Sequence, residues 1–382
     1  MHFRGIILLR LVVLTAMLVG APWFRARAAG NSYVRTTLVA DKAGLYTGVH
    51  TVDPLLLNPW GVANISGGPF WISDNNSGNS SLYDGAGNPV AALPNVKIPA
   101  ASITMGGTAS PDGIVWNGNF LQFLVPSGAA KGNTCIFIFA TEDGTISCWA
   151  PGNLTNPAIV TNAQLVIDNT NSNMTTSPVY KGLALGTNSR DTFIYATDFR
   201  NNQVVAWNST FGFDATLTAA FKDSTIPAGY APFGIQNLDG DIWVTWAKQD
   251  AAKHDPVAGA GFGFVDIFDT NGKLLHHFVA GGRLNAPWGV VRAPYKFGQF
   301  GNDILIGNFG NGKINAYQRM SNGHWKPHGP LRIASGKPVR IDGLWGLSFG
   351  NDGPAGPSTT LYFTAGPGNG SHGIFGSIAA GG

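Results

Sequence analysis

A repeated stretch of short strands constrains the fold of this chain more than any other feature. Its clearest copy covers residues 286–317 and reads APWGVVRAPYKFGQFGNDILIGNFGNGKINAY. An aromatic-Gly turn leads into a short apolar strand, and a second strand ends at Asn308 before a Gly-rich turn and a third strand. Strands this short cannot bury both faces alone, so such a unit gains its core by stacking against neighbouring units. The repeat therefore predicts an array of small β-sheets.

Six copies of this unit can be recognised along the chain. Each copy has a leading glycine, and the six are Gly61, Gly113, Gly182, Gly234, Gly289 and Gly346. Their spacing of 52 to 69 residues suits a four-stranded blade with generous loops. We therefore predict six blades that begin near residues 58, 112, 181, 231, 286 and 343. In the second copy the predicted second strand is FLQFLV, residues 120–125, and the hairpin between the two cysteines supplies strands three and four.

The two ends of the chain are predicted to complete the last blade. The sixth copy ends after its third strand, whereas an isolated strand at about 33–39, YVRTTLV, precedes the first copy. Pairing these segments closes the ring and removes the free edge between the first and last blades. The expected fold is an all-β, six-bladed β-propeller in which residues 29–382 form a single domain.

Residues 1–28 have the pattern of an export signal. Basic Arg4 and Arg10 precede an apolar run over 11–20, and Ala26-Arg27-Ala28 forms an A-x-A cleavage site. We expect cleavage after Ala28, a periplasmic or extracellular location and no membrane span in the mature chain. A retained N-terminal anchor is the alternative, although the apolar run is short for a bilayer.

The charge balance gives no reason to expect a polyanionic partner. Four of the 24 basic residues lie in the export signal, which leaves 20 basic against 21 acidic residues in the rest of the chain. A nearly neutral surface does not favour nucleic acid or an anionic membrane. We expect a monomer whose partner is a small molecule or a protein ligand.

The two cysteines flank a predicted hairpin. Cys135 and Cys148 enclose a segment in which Asp143-Gly144 suits a two-residue turn. In that register Cys148 would face Phe139, four residues from Cys135, which is beyond the reach of a disulfide. The sequence therefore favours two free, buried thiols, although a longer hairpin loop would shift the pairing.

The repeat pattern also carries a family resemblance. P-W-G-V, a strand that ends in Asp or Asn, and then N-x-x-x-x-x-Y/F-D-x-x-G resemble the NHL-repeat β-propellers, with gluconolactonase-like propellers as more distant relatives. The fourth copy, AKQDAAKHDPVAGAGFGFVDIFDTNG, is similar to a family of exported bacterial propellers without an established activity. The resemblance covers nearly all of the mature chain and implies the fold, whereas one fold carries many chemistries.

Residues near one mouth of the propeller channel are the first candidates for ligand binding. The loop that enters an innermost strand and the loop that leaves the second strand lie on the same face of a propeller. We therefore predict a ligand-binding mouth that contains Trp60, Ser127, Phe233, Trp246, Trp288 and Trp345. The alternative for each residue taken singly is structural, with aromatic rings packed between blades and strand-end side chains bonded to turn amides.

Three strand-end residues could share an axial cation. Asp74, Asp198 and Asn308 come from separate blades and offer the oxygen ligands that calcium prefers. The resemblance to gluconolactonase-like propellers implies a metal in a comparable central place. However, that family has an acidic residue in the leading turn of its first blade, where this chain has Trp60. Calcium is therefore an alternative and not a firm expectation.

An insertion in the fourth copy, roughly 247–263, is the most distinctive segment. Lys248, Asp250, Lys253, His254 and Asp255 lie within eight residues of an otherwise charge-poor chain. A histidine beside carboxylates can act as a general base or a metal ligand, so the catalytic candidates are His254, Asp250, Lys248 and Asp255. A solvated loop whose charges fix its own shape is an equal alternative.

These patterns favour a binding function, because they contain no complete catalytic constellation. The first hypothesis is a ligand-binding or scaffolding module that uses the channel mouth. The second is a calcium-assisted hydrolase or lyase that acts on a small or sugar-like substrate. His276 and His277 should face opposite sides of one strand, so they cannot jointly ligate a metal.

Overall fold

The computed structural model describes residues 30, 32–104, 106–127, 130–151, 161–172 and 175–381. The predicted export signal, its cleavage site and the alternative anchor lie outside these residues. In the described part of the chain, none of the helices has the length and apolar character needed to cross a membrane.

Short strands account for almost all of the regular structure. They are β1 (Tyr33–Ala40), β2 (Thr51–Val52), β3 (Pro59–Asn64), β4 (Phe70–Asp74), β5 (Asn79–Tyr83), β6 (Asn95–Lys97), β7 (Pro111–Trp116), β8 (Phe137–Thr141), β9 (Thr145–Trp149), β10 (Gln164–Asp168), β11 (Tyr180–Thr187), β12 (Thr192–Asp198), β13 (Gln203–Trp207), β14 (Tyr230–Leu238), β15 (Asp241–Lys248), β16 (Phe264–Phe268), β17 (Leu274–Ala280), β18 (Pro287–Arg292), β19 (Ile304–Asn308), β20 (Ile314–Arg319), β21 (Trp325–Pro330), β22 (Leu344–Phe349), β23 (Leu361–Ala365) and β24 (Ile374–Ala380). The helical elements are α1 (Ala215–Thr218) and two 3-10 turns, Ser102–Thr104 and Gly298–Phe300.

These strands form six antiparallel blades in a closed ring, as the repeat predicts. The first five blades consist of β3–β6, β7–β10, β11–β13, β14–β17 and β18–β21, and the sixth has the order β2-β1-β24-β23-β22. The first strands of successive blades, β3, β7, β11, β14, β18 and β22, contact one another in turn, and β22 contacts β3. These six inner strands therefore surround the central channel.

The N-terminal strand closes the ring, which confirms the prediction from the sequence. β1 pairs with β24 from Tyr33 opposite Ala380 to Ala40 opposite Ile374. The Tyr33 side chain is 1% exposed and donates a hydrogen bond of 3.1 Å to the carbonyl of Phe297 in the fifth blade. The strand therefore joins the two chain ends and also fastens the fifth and sixth blades together.

The leading glycines form the narrowest part of the channel. A Cβ atom on Gly61 would lie 2.3 Å from the carbonyl oxygen of Asp112, and one on Gly234 would lie 2.2 Å from that of Trp288. The same holds for Gly346, where the distance to a neighbouring backbone oxygen would be 2.6 Å. Neighbouring inner strands approach too closely for any side chain, which explains the repeated glycine. The cavity at this waist holds about 30 Å³, enough for roughly one water molecule.

The second blade differs from its sequence-based assignment. The segment FLQFLV was predicted as its second strand, but that strand is β8, and the cysteine hairpin supplies strands two and three. The mistaken segment lies in the connection between β7 and β8. Phe123 and Val125 pack into the core, whereas Phe120 and Leu121 are 63% and 88% exposed. The apolar residues of this segment therefore suggested a strand, but the segment does not pair with the sheet of its blade.

The cysteines form a disulfide, so the prediction of two free thiols was wrong. The Cα atoms of Cys135 and Cys148 are 5.4 Å apart. The hairpin turn is longer than a two-residue turn, so Cys148 faces Ile138 and not Phe139. Ile136 and Phe137 both lie opposite Trp149, because the Ile136 amide bonds the Trp149 carbonyl while Phe137 pairs with the same residue. This bulge turns Cys135 onto the face that carries Cys148.

Candidate functional site

Six side chains that directly precede the leading glycines meet at one end of the channel. This mouth ring consists of Trp60, Asp112, Lys181, Phe233, Trp288 and Trp345. All of them lie near the beginnings of inner strands, so the fold places them at the same end. Four are aromatic, whereas the second and third blades contribute a carboxyl group and an ammonium group side by side.

The aromatic members of the mouth ring pack tightly against each other. Trp60 stacks on Trp345 with a centroid distance of 3.4 Å and meets Trp288 edge to face at 5.9 Å. Phe233 lies 6.2 Å from Trp60, and Phe309 stacks on Trp345 at 4.1 Å. We call this group with Phe199 the aromatic plug. Trp60 and Trp345 are each 3% exposed, so the plug fills the channel above the glycine waist.

Lys181 is fully buried at the side of the plug. Its Nζ atom forms an ion pair with Glu142, lies 3.5 Å from Oδ1 of Asp255 and stands 4.7 Å from the centre of the Trp60 ring. Burial lowers the pKa of Lys181, while the charges of Asp112 and Asp255 oppose that shift. The lysine is therefore surrounded by two carboxyl groups of the second blade and one carboxyl group of the fourth-blade insertion.

Asp112 is the buried acidic neighbour of this lysine. Its Oδ1 atom accepts a hydrogen bond of 2.6 Å from the side-chain amide of Asn75, which also donates to Glu142 at 2.9 Å. Its Oδ2 atom has no hydrogen-bond partner among the described residues. Burial raises the pKa of Asp112 well above the usual range, and the charge of Lys181 works against this effect.

The insertion of the fourth blade covers this arrangement from the solvent side. Nδ1 of His254 lies 3.2 Å from Oδ1 of Asp255, whose side chain is 64% exposed. The hydrogen bond from His254, together with Lys181, lowers the pKa of Asp255 to about 2. Ligand atoms of Glu142, His254 and Asp255 all lie within 4.8 Å of one another. We call Asn75, Asp112, Glu142, Lys181, His254 and Asp255 the charged cluster.

The other two catalytic candidates hold the insertion in shape. Oδ1 of Asp250 accepts a 2.8 Å hydrogen bond from the backbone of His254, and the Asp250 amide bonds the Asp255 carbonyl at 2.9 Å. The ammonium group of Lys248 lies 4.5 Å from the centre of the Phe262 ring. Of the four candidates, Asp255 therefore reaches the buried lysine and His254 contacts Asp255, whereas Asp250 and Lys248 organise the loop that carries them.

The three proposed calcium ligands are bonded within their own blades. Oδ2 of Asp74 accepts a hydrogen bond from the Ser81 amide at 2.9 Å, and Oδ2 of Asp198 accepts one from the Asn201 side chain at 2.7 Å. Asn308 bonds the backbone of the turn that leads into β18. Among the contacts of the described residues, no hydrogen bond or ion pair connects one of these three side chains with another.

The residues that follow two of these strand ends face the channel axis instead. Phe199 follows Asp198, Phe309 follows Asn308, and both rings belong to the aromatic plug. Successive side chains of an extended segment point in opposite directions, so the strand-end oxygens are turned away from the axis. Calcium binding by Asp74, Asp198 and Asn308 stays a prediction.

Two residues assigned to the mouth lie elsewhere. Ser127 is exposed in the connection between β7 and β8, which joins the strand ends opposite the mouth. It was misplaced because FLQFLV was mistaken for a blade strand. Trp246 is 4% exposed and packs in the cluster between the third and fourth blades, with Tyr195 and Phe268.

A second opening lies at the other end of the channel. It encloses about 410 Å³ and is lined by inner-strand ends that include Asn64, Gln236 and Ser348. Its charged residue Arg292 is bonded to Asp239 at 2.7 Å. This end therefore presents amides, a hydroxyl and apolar side chains, whereas the buried pair Asp112 and Lys181 lies at the mouth.

The residues at the centre of the charged cluster were not predicted from the sequence as site residues. Asp112-Gly113 and Lys181-Gly182 were used to mark the starts of blades, although both replace the aromatic residue of the repeat. That departure, in two adjacent blades, was the available signal. Glu142 gave no comparable signal, because its place in the site follows from the longer hairpin turn.

Proteins of a giant virus are similar to this chain over most of its length. Protein R648 of Acanthamoeba polyphaga mimivirus, named as uncharacterised, is 30% identical over 372 residues, which cover 93% of this chain and 82% of the viral protein. Protein L690 of the same virus is 28% identical over 342 residues, covering 85% and 81%. No protein-family model matches the chain.

Solved propeller structures are more distant. Virginiamycin B lyase from Staphylococcus aureus is 14% identical, with a TM-score of 0.43 over 91% of this chain and 99% of the lyase. A structure named as a gluconolactonase is 15% identical, with a TM-score of 0.41 over 70% and 88%.

Proposed function

This chain belongs to the protein family of mimivirus R648, and we propose that it is a ligand-binding module that receives its ligand at the mouth ring. One observation carries the proposal. Two adjacent blades place buried Asp112 and Lys181 where the other four place aromatic rings. The insertion of the fourth blade lies over this pair, because its Asp255 contacts Lys181.

Energetics argue against a purely structural role for the pair. Removing a charged group from water costs several kcal/mol even after the protein relaxes, and this cost is offset only by well-placed partners. Two further aromatic rings would close the channel without that cost, as they do in the other blades. Strongly perturbed ionisable groups in a cleft are typical of functional sites. The site therefore supports recognition of a charged or strongly polar ligand group.

The contacts of Lys181 favour a carboxylate as that group. Of the two carboxylates that form ion pairs with Lys181, that of Asp255 is the more exposed. It approaches Lys181 from the solvent side at 3.5 Å. A ligand carboxylate that displaced Asp255 would keep the lysine paired. The half-buried rings of Trp288 and Phe309 offer an apolar surface beside it. We therefore infer that the ligand is a small carboxylic acid with an apolar or ring-shaped body.

A matched ligand panel tests this function. Calorimetric titration of the mature chain would compare benzoate and cyclohexanecarboxylate with their neutral amides. The proposal expects carboxylates to bind and amides to bind at least about tenfold more weakly, because the charge-assisted contact is lost. Replacement Lys181→Met should abolish the preference, whereas the control Lys248→Met should keep it. Equal affinity for acids and amides would contradict the proposal.

Export of the chain is part of the same proposal. The disulfide between Cys135 and Cys148 supports it, because disulfides persist in oxidising compartments and are rare in the cytosol. Expression of the full-length chain should yield a secreted or periplasmic product that begins after Ala28. Mass measurement of the purified protein checks this; retention of residues 1–28 in the soluble product would contradict it.

A metal-assisted hydrolase or lyase is the second candidate. It is favoured by the grouping of Glu142, His254 and Asp255, which offers one nitrogen and two oxygen ligands. The ammonium group of Lys181 already pairs with both carboxylates, so a metal ion would compete with it. Stoichiometric metal that survives dialysis and is lost in His254→Ala would favour the enzyme over the metal-free binder.

A further inference from the structure

A second group of ionisable side chains lies away from the mouth, at the outer side of the fourth blade. Asp266 on β16 pairs across the sheet with His277 on β17. Asp223, from the connection between α1 and β14, reaches the same histidine. Its Oδ2 atom lies 2.9 Å from Nδ1 of His277, and Oδ1 of Asp266 lies 3.3 Å from that nitrogen.

The two carboxyl groups are buried to an unusual degree for acidic residues. The side chain of Asp223 is 1% exposed and that of Asp266 is 2% exposed, whereas His277 is 55% exposed. Burial, followed by the neighbouring charge of Asp223, raises the pKa of Asp266. Two adjacent buried carboxyl groups therefore face one half-exposed imidazole.

One oxygen of the pair has no protein partner. Oδ2 of Asp266 is buried and accepts no hydrogen bond from any described residue. Buried polar atoms nearly always have a partner, so an orphan acceptor beside a second carboxyl indicates a missing donor or cation. Asp223 is held in place, because its Oδ1 atom accepts hydrogen bonds of 2.7 and 2.8 Å from the backbone and hydroxyl of Thr225.

The spacing of these groups suits a small divalent ion. All three residues offer ligand atoms within 4.8 Å of one another. Ligands about 2.0–2.1 Å from a tetrahedral zinc ion lie about 3.3–3.5 Å apart, close to the observed 2.9 and 3.3 Å. One imidazole and two carboxylates match zinc, whereas calcium requires six to eight oxygen ligands.

We propose that Asp223, Asp266 and His277 form a zinc site that clamps the α1–β14 connection onto the outer strands of the fourth blade. In the described residues the third blade has three strands, and α1 packs beside its last strand β13. The α1–β14 connection thus covers the outer edge of the third blade, where other blades have a fourth strand. A metal clamp would fasten this cover, so its role is structural and independent of the mouth.

Zinc titration of the mature, chelator-treated chain tests the site. Calorimetry should detect one zinc ion bound to the wild-type chain. His277→Gln and Asp266→Asn should each bind zinc with an affinity at least about tenfold lower than the wild-type chain. His276→Gln is the matched control, because this neighbour pairs with Ile267 on the same two strands and should keep full affinity. The exposed position of His277 ensures that His277→Gln folds.

Zinc should also raise the thermal midpoint of the wild-type chain and of His276→Gln, but not that of His277→Gln. The variant His254→Gln separates this site from the charged cluster, since zinc bound at the mouth would be lost there instead. Unchanged zinc stoichiometry and affinity in both His277→Gln and Asp266→Asn would overturn the proposal. Failure of the wild-type chain to bind zinc would overturn it as well.

Discussion

Replacement of a single leading glycine tests how the blades close around the channel. In Gly234→Ala the new methyl carbon would lie 2.2 Å from the Trp288 carbonyl oxygen and 2.9 Å from Oγ1 of Thr245. The Trp288 oxygen belongs to the backbone of the next inner strand, so it cannot swing away. Overpacking of this kind costs roughly 1–3 kcal/mol, and a rigid backbone contact places the effect near the upper end.

Urea and thermal unfolding would measure the loss. With an unfolding entropy of about 2.1 cal/mol/K per residue, a loss of about 3 kcal/mol lowers the thermal midpoint of a chain this long by roughly 4 °C. Gly353→Ala is the control, because its nearest contact would be a side-chain oxygen at 3.3 Å in an exposed turn. Equal stability of the two variants would refute the argument that close backbone approach requires these glycines.

Three further perturbations have defined outcomes. Reduction of the Cys135–Cys148 disulfide should lower the free energy of unfolding by about 3 kcal/mol, as expected for a closed loop of this length, and an unchanged urea midpoint would argue against the bond. Lys181→Met leaves a carboxylate without its buried partner and should cost about 3–5 kcal/mol, whereas Lys248→Met should cost about 1 kcal/mol or less in the same unfolding assay. The raised pKa of Asp112 contributes stability that is fully present below about pH 4 and is lost as the pH rises towards the folded value. Asp112→Asn should therefore flatten the decline in unfolding free energy as the pH rises above about pH 4, and an identical pH slope would exclude this assignment.

The architecture could be predicted because the repeat places a leading glycine at the same point of every blade, even though the loop lengths vary. Each leading glycine, such as Gly234, is required by close backbone contact, and the strand 33–39 has no hairpin partner in the sequence pattern, so pairing with the last blade was the expected solution. The strand assignment in the second blade was wrong because Phe123 and Val125 pack into the core and do not belong to a strand of the blade. Local apolar content cannot separate these two roles.

The site was harder to predict, since it depends on side-chain direction and on single-residue shifts. One additional residue in the hairpin turn moved Cys148 from Phe139 to Ile138 and made the disulfide feasible. Asp198 and Phe199 are adjacent in the sequence, yet Asp198 bonds its own turn whereas Phe199 belongs to the aromatic plug. The insertion is distinctive in the sequence, but the sequence does not show that Asp255 contacts Lys181, which lies in a different blade.

The competition between Asp255 and a ligand for Lys181 gives the most direct test of the proposed function. The measurement is the dissociation constant of the tightest-binding carboxylate of the panel, compared between the wild-type chain, Asp255→Asn and Lys181→Met. If the loop carboxylate occupies the ligand position, Asp255→Asn should bind more tightly than wild type and Lys181→Met at least about tenfold more weakly. Equal affinities in all three proteins, or no carboxylate binding by the wild-type chain, would contradict the account.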